Sequence, residues 1–253
     1  MNENAKKFKR LYMIFGLLGT ALIIATYFLP IWWVALQSIQ YPKTMYPKGI
    51  RIEFKYDGVY NGCKGVRERE ELAMDAGADC LIEMNKINHF IGMYPIVQGV
   101  NDVDELGNHV PYPVYAGDSI PADKIPGALK VLDQIMRNAK LAFIILALLG
   151  LLFVFVSNKK LTWAGVLVAL TPFYFLAIYV YYLYWYGHHL GLHGGGAFNG
   201  IKPFMPTVFG EGKVAQFTTM SYPYIGFFVG LAGFVLMLLA INFKNKYLKS
   251  VQQ

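Results

Sequence analysis

LYMIFGLLGTALIIATYFLPIWWVAL, from Leu11 to Leu36, decides the fold class. It sits in a stretch without a charged residue between Arg10 and Lys43. A helix crossing the hydrocarbon core of a bilayer needs about 20 apolar residues at a rise of about 1.5 Å each. Three more runs approach or clear that length: Leu141–Val156, Leu161 to about Trp185, and about Tyr222 to Phe243. The expected fold is therefore a membrane protein with four transmembrane α-helices. A mixed α/β extracytoplasmic domain is expected between the first two. The chain divides into a tail over 1–10, a first span over 11–38, a domain over 39–137, and spans over 138–158 and 161–186. A loop over 187–221, a fourth span over 222–243 and a tail over 244–253 complete it. Pro30 and Pro172 fall inside spans, where neighbouring helices can re-satisfy the freed carbonyls, and Pro172 predicts a kink. Gly226, Gly230 and Gly233 recur at helical spacing and invite close approach of another helix.

Composition agrees with the apolar runs. The 253 residues are 55% hydrophobic, 16% aromatic and only 15% charged, against roughly 25% charged in soluble domains. Mean hydropathy is +0.37. Disorder, a coiled coil and a disulfide-dense secreted scaffold are excluded. The net charge of +7 suggests nucleic acid until the charges are placed. Lys6, Lys7, Lys9 and Arg10, then Lys159 and Lys160, then Lys244, Lys246 and Lys249 all fall on one side of a four-span chain. That side is expected to be cytoplasmic, with both termini, in the cell (inner) membrane. Fourteen of the 16 acids lie between Glu53 and Asp133, on the other side. The charge is thus a topology signature, and no nucleic-acid partner is expected. The first run is too long for a signal-peptide core and reads as an uncleaved anchor. Trp32, Trp33, Trp163, the tyrosines from Tyr179 to Tyr186 with Trp185 among them, Tyr222 and Tyr224 are expected at headgroup level.

Within 39–137, Gly49–Tyr56 reads GIRIEFKY and alternates with period two, which predicts a half-buried strand. Arg67 to about Ile91 favours helix, with Gly77 a potential break, and Ile125–Met136 predicts a second helix with Pro126 in its first turn. Residues 97–126 read as loops and short strands.

All five histidines (His89, His109, His188, His189, His193), both cysteines (Cys63, Cys80) and Met74, Met84, Met93, Met205 and Met220 are expected outside. Imidazole with soft sulfur ligands suits copper, especially Cu(I). His89 and Met93 are four apart and share a face if the helix continues, an arrangement that suits copper or a haem iron. Gly92 lies between them, and the alternative is a core methionine beside a histidine bonded to backbone. His188, His189 and His193 follow the third span beside Gly194-Gly195-Gly196. They suit copper, zinc, haem or a quinone headgroup, or else form a polar cap on the helix end. Cys63 and Cys80, 17 apart, are a disulfide or else free thiols or metal ligands. CxxCH, CxxC, P-loop, GxGxxG and HExxH motifs are all absent, so no covalent c-type haem is expected, nor nucleotide-driven transport. The aromatic and Pro-rich stretches Lys202–Gly210 and Phe217–Pro223 suit either a partner surface or packing within the chain. No acid or base stands inside the apolar runs, which argues against a channel or secondary transporter.

Asp79-Cys80-Leu81-Ile82-Glu83-Met84-Asn85-Lys86-Ile87-Asn88-His89-Phe90-Ile91-Gly92-Met93 resembles D-x-x-x-E-x-N-x-L-N-H-Y-I-G-M. That motif belongs to small membrane proteins encoded beside nitrous oxide reductase and its copper-handling accessory proteins. Ile87 and Phe90 replace its Leu and Tyr. The likeness is sharp over about 15 residues and extends loosely to the tryptophan-containing end of the first span and the Pro-rich loop before the fourth. It implies an extracytoplasmic accessory role in copper-dependent respiration, with Glu83, Asn88, His89 and Met93 as the carried-over positions. The expectation is an accessory protein with an outward His/Met metal or redox site and a membrane or periplasmic protein partner. The alternative is a structural or electron-transfer subunit of a larger complex. Either way the chain is not expected to be an enzyme on its own.

Overall fold

The computed structural model describes residues 3–44, 46–63, 79–101, 103, 106–112, 120, 123–190, 202–214 and 216–252. The start of the predicted 67–91 helix, Met74, Gly77, His193 and Gly194–Gly196 lie outside them. The chain forms two compact units.

The helical unit comprises Met1–Pro30, Ala139–Ala177 and Ile225–Gln253. Helix α1 (Glu3–Ala25) runs into a 3-10 turn, Thr26–Phe28, and helix α7 spans Ile225–Gln252. Both are long and apolar enough to cross a membrane. Helix α4 (Ala139–Phe155) and α5 (Thr162–Ala169) complete this unit with the start of α6 (Thr171–His188). Helix α3 (Gly127–Arg137) with α4, and the Lys159–Ala169 segment with α6, pass the same test as pairs, each bent by more than 40° at a short break. The second break is at Leu170, just before Pro172, whose ring cannot continue the amide ladder.

Small residues let these helices meet. A side chain at Gly19 would strike Met237 at 2.9 Å, and one at Gly16 would strike Val154 at 2.7 Å. The core is Ile23, Phe153, Val154, Ala164, Val168, Ala169, Met237 and Ala240. Buried Lys244 reaches from α7 to the end of α4, donating to the carbonyls of Phe153 and Val156. It satisfies acceptors that the helix end leaves open and carries positive charge to the negative end of the dipole. The unit is apolar outside as well: Leu18, Leu148, Phe155 and Phe228 are all more than half exposed. Such a surface suits lipid better than water.

The first span ends earlier than expected. The helix stops at Phe28, not near residue 38, because Pro30 holds Leu29 in extended backbone (φ −105°, ψ 146°). Trp32–Gln37 then forms strand β1. Trp32 and Trp33 are therefore strand residues and not the closing turn of a span.

The α/β unit comprises Ile31–Asn138 and Ile178–Tyr224. Its sheet is antiparallel throughout, in the order β3-β2-β1-β5-β4, with β2 Ile50–Lys55, β3 Gly58–Asn61, β4 Gly210–Val214 and β5 Phe217–Pro223. The 187–221 segment is thus no separate loop. It supplies β4 and most of β5, and Val34 of the central strand pairs Ile52 on one side and Ser221 on the other. Alternation assigns the faces. Trp32, Val34, Leu36, Ile50, Ile52 and Phe217 face the core, with Leu81, Met84 and Ile87 of α2 (Cys80–Ile91), Leu129, Leu132 and Met136 of α3, and Tyr182, Trp185 and Tyr186 of α6. These last aromatics, expected at headgroup level, pack inside this unit. The opposite sheet face carries Arg51, its guanidinium 4.6 Å from the Trp33 ring and 4.8 Å from that of Tyr224, with Glu53 at 3.1 Å.

Candidate functional site

The motif from Asp79 to Met93 is a capped helix with its return. Asp79 is the N-cap of α2 and accepts from the amides of Leu81 and Ile82 at 2.9 and 3.2 Å. Cys80 is bonded to Cys63, which ties the helix start to the end of β3 and removes both sulfurs as metal ligands in this form. Asn61 Oδ1 accepts from the amides of both cysteines, at 2.9 and 3.2 Å. Glu83 accepts from Lys86 Nζ at 2.6 Å and from the Tyr41 hydroxyl at 3.3 Å. Burial, then the Glu83 carboxylate, pushes the Tyr41 phenol up to about 12.

The helix ends at Ile91 because Gly92 turns left-handed (φ 78°). The Gly92 amide donates to His89 O and the Met93 amide to Asn88 O, the six-to-one closure of a Schellman turn. Asn85 accepts from the Ile96 amide at 2.7 Å, and Asn88 donates to Tyr94 O at 3.5 Å. The two asparagines stitch the returning chain to the helix.

This geometry removes the premise that placed His89 and Met93 on one helical face. Met93 lies beyond the reversal at Gly92 and is buried in the core, as is Met84. His89 is half-buried on α2. Asn88 is buried and Glu83 half-buried, and both are spent on the bonds above.

The other two described candidates share a different arrangement. His188 ends α6 and His189 follows it, each with Nδ1 2.8 Å from the carbonyl four residues earlier, of Tyr184 and Trp185. A carbonyl only accepts, so each Nδ1 carries a proton, and a ring that holds only that proton leaves its lone pair on Nε2. Each ring also stacks on the same residue, His188 on Tyr184 at 3.8 Å and His189 on Trp185 at 4.2 Å. Both imidazoles are thereby held in one orientation and one tautomer. Neighbouring positions on a helix point about 100° apart, so the two present separate donors and do not chelate one ion together. Among the described residues no three His, Cys, Asp or Glu side chains converge as a metal group.

Sequence reading missed a further pair. His109 Nε2 lies 2.7 Å from Asp133 of α3, whose other oxygen is 3.7 Å from Arg137. Burial, then the nearby Tyr186 phenol and Asp133 carboxylate, raises the Tyr112 phenol. The separation of 24 residues between His109 and Asp133 left no local signal. Also unforeseen is a buried hydroxyl hub. Ser221 Oγ donates to Val208 O at 2.7 Å and receives Trp32 Nε1 at 2.8 Å and the Tyr179 hydroxyl at 2.9 Å.

Comparison with protein-family models, curated proteins and solved structures finds no match.

Proposed function

We propose that the chain is an integral membrane accessory protein of a copper-dependent respiratory enzyme, with the end of α6 as its metal- or redox-facing point. It crosses the membrane four times, each bent helix pair counting as one span. Its termini are cytoplasmic and its α/β unit faces outward to meet a membrane or periplasmic protein. The positive-inside distribution of Lys and Arg supports that orientation. The resemblance of Asp79–Met93 supports the respiratory setting.

The observation that carries the metal reading is the pair of backbone-locked imidazoles, His188 and His189. Fixing Nδ1–H on a carbonyl is how metal-binding histidines are oriented, with Nε2 as the ligand. Either ring supplies one neutral nitrogen, and other donors must complete the set. Copper held there would supply one-electron exchange or a transferable soft cation. His89 remains a candidate single ligand, while Met93 is a poor one because its side chain is committed to the core.

A second reading is a docking subunit without metal. It is favoured by the way the motif's polar residues are used within the fold, as cap, stitches and turn. Copper content of the full-length chain, purified in mild detergent without chelator or affinity histidines, decides between them. Stoichiometric copper lost in His188→Ala/His189→Ala supports the first reading. Copper lost only in His89→Ala moves the site to α2. Folded protein that takes up no copper leaves the docking reading.

A further inference from the structure

We infer that α1 carries a seat for one anionic phospholipid, in the leaflet that contains the N-terminus. A shallow groove along this helix is lined by Lys6, Lys9, Arg10, Met13, Ile14 and Leu17. These positions share one stripe at helical spacing. A separate stripe about a third of a turn round the helix, with Tyr12, Gly16, Gly19, Thr20 and Ile23, is buried in the helical unit. The cations occupy about one turn, and the apolar residues follow from the next. At about 1.5 Å per residue, the stripe from Lys6 to Leu17 is about 16 Å long. It matches a phosphate headgroup above the first part of an acyl chain.

The charge in this unit selects the sign of the headgroup. Its sequence contains ten Lys and Arg and one acid, Glu3, exposed one turn before Lys6. No ion pair answers Lys6, Lys9 or Arg10 among the described residues. Ile14 and Leu17 are about two-fifths exposed directly below, so the groove offers charge and apolar contact together. A soluble anion would use only the first of these. A zwitterionic lipid sets its own ammonium beside the phosphate and brings no net negative charge to the three cations.

Native mass spectrometry of the full-length chain in detergent, titrated with phosphatidylglycerol or phosphatidylcholine, tests this assignment. Each cation near an anionic surface is worth about 1 kcal/mol. Lys6→Gln/Lys9→Gln/Arg10→Gln should therefore weaken phosphatidylglycerol binding about tenfold or more while leaving phosphatidylcholine binding unchanged. Equal binding of the two lipids by the native chain would overturn the seat, as would a preference that survives the triple change. Displacement of phosphatidylglycerol by inorganic phosphate would overturn the lipid as occupant. If the triple variant does not insert, Lys9→Gln and Ile14→Ser/Leu17→Ser stand in. Both should weaken phosphatidylglycerol binding, and unchanged binding in both refutes the assignment.

Discussion

Replacing Ser221 with alanine removes one oxygen from the sheet and strands three polar atoms. Ser221 is fully buried, and its Oγ meets Trp32 Nε1, the Tyr179 hydroxyl and Val208 O within 2.9 Å. A serine hydroxyl has one hydrogen and two lone pairs. Its hydrogen goes to Val208, which can only accept, so indole and phenol both donate and Oγ is saturated. Each buried group left without a partner costs about 1–3 kcal/mol. Three such groups set an upper range of about 3–9 kcal/mol, and rotation of the Tyr179 hydroxyl or entry of one water lowers it, so about 3–5 kcal/mol is expected. Chemical unfolding followed by tryptophan fluorescence measures the loss. Trp32→Phe deletes one donor, so the double variant should be less damaged than the sum of the singles by about 1–2 kcal/mol. A Ser221→Ala cost below 1 kcal/mol, or strict additivity with Trp32→Phe, would refute the hub.

Gly92→Ala forces a β-carbon onto a left-handed residue (φ 78°) and should cost about 1–2 kcal/mol, with Gly92→Asn costing less; equal midpoints for both in thermal unfolding would contradict the turn. Cys63→Ser/Cys80→Ser opens a 17-residue separation and should cost about 2–4 kcal/mol in the same assay, and reductant should shift the native chain but not the variant. Burial and the Glu83 carboxylate push the folded Tyr41 phenol up to about 12, above the ordinary tyrosine value of 10.0, so its contribution is complete below pH 10 and is lost as pH rises toward 12. Tyr41→Phe should flatten the fall in stability between pH 10 and 12, and an unchanged slope there would reject the Glu83 contact.

The parts legible in the sequence are those where one period dominates. Ile50–Lys55 alternates and is a strand; Gly127–Arg137 repeats its apolar residues at helical spacing and is a helix. Strand β1 was illegible because WWVALQ is apolar on both faces, as a central strand is, and reads as a continued membrane helix. Only Pro30 marks the change. Strand β5 was illegible for the opposite reason. Its inward positions include Thr219 and Ser221, polar residues buried because Thr207, Trp32 and Tyr179 satisfy them. Hydropathy cannot anticipate partners so distant in the chain. The motif residues read either as ligands, through His89 and Met93, or as a core methionine beside a histidine bonded to backbone. In the fold they cap, turn and stitch, and that was written in Asp79 before the helix and Gly92 after it.

The pairing of β1 with β5 also sets a schedule. Trp32 and its partner Ser221 are 189 residues apart. At roughly 5–20 residues per second of synthesis, β1 waits about 10–40 s for its second neighbour. Meanwhile β2 covers one of its edges, and the other remains open. An uncovered apolar edge is a template for the wrong strand. A chain stopped before Phe217 should therefore be prone to clump, and the last strand to arrive is the one that protects the first.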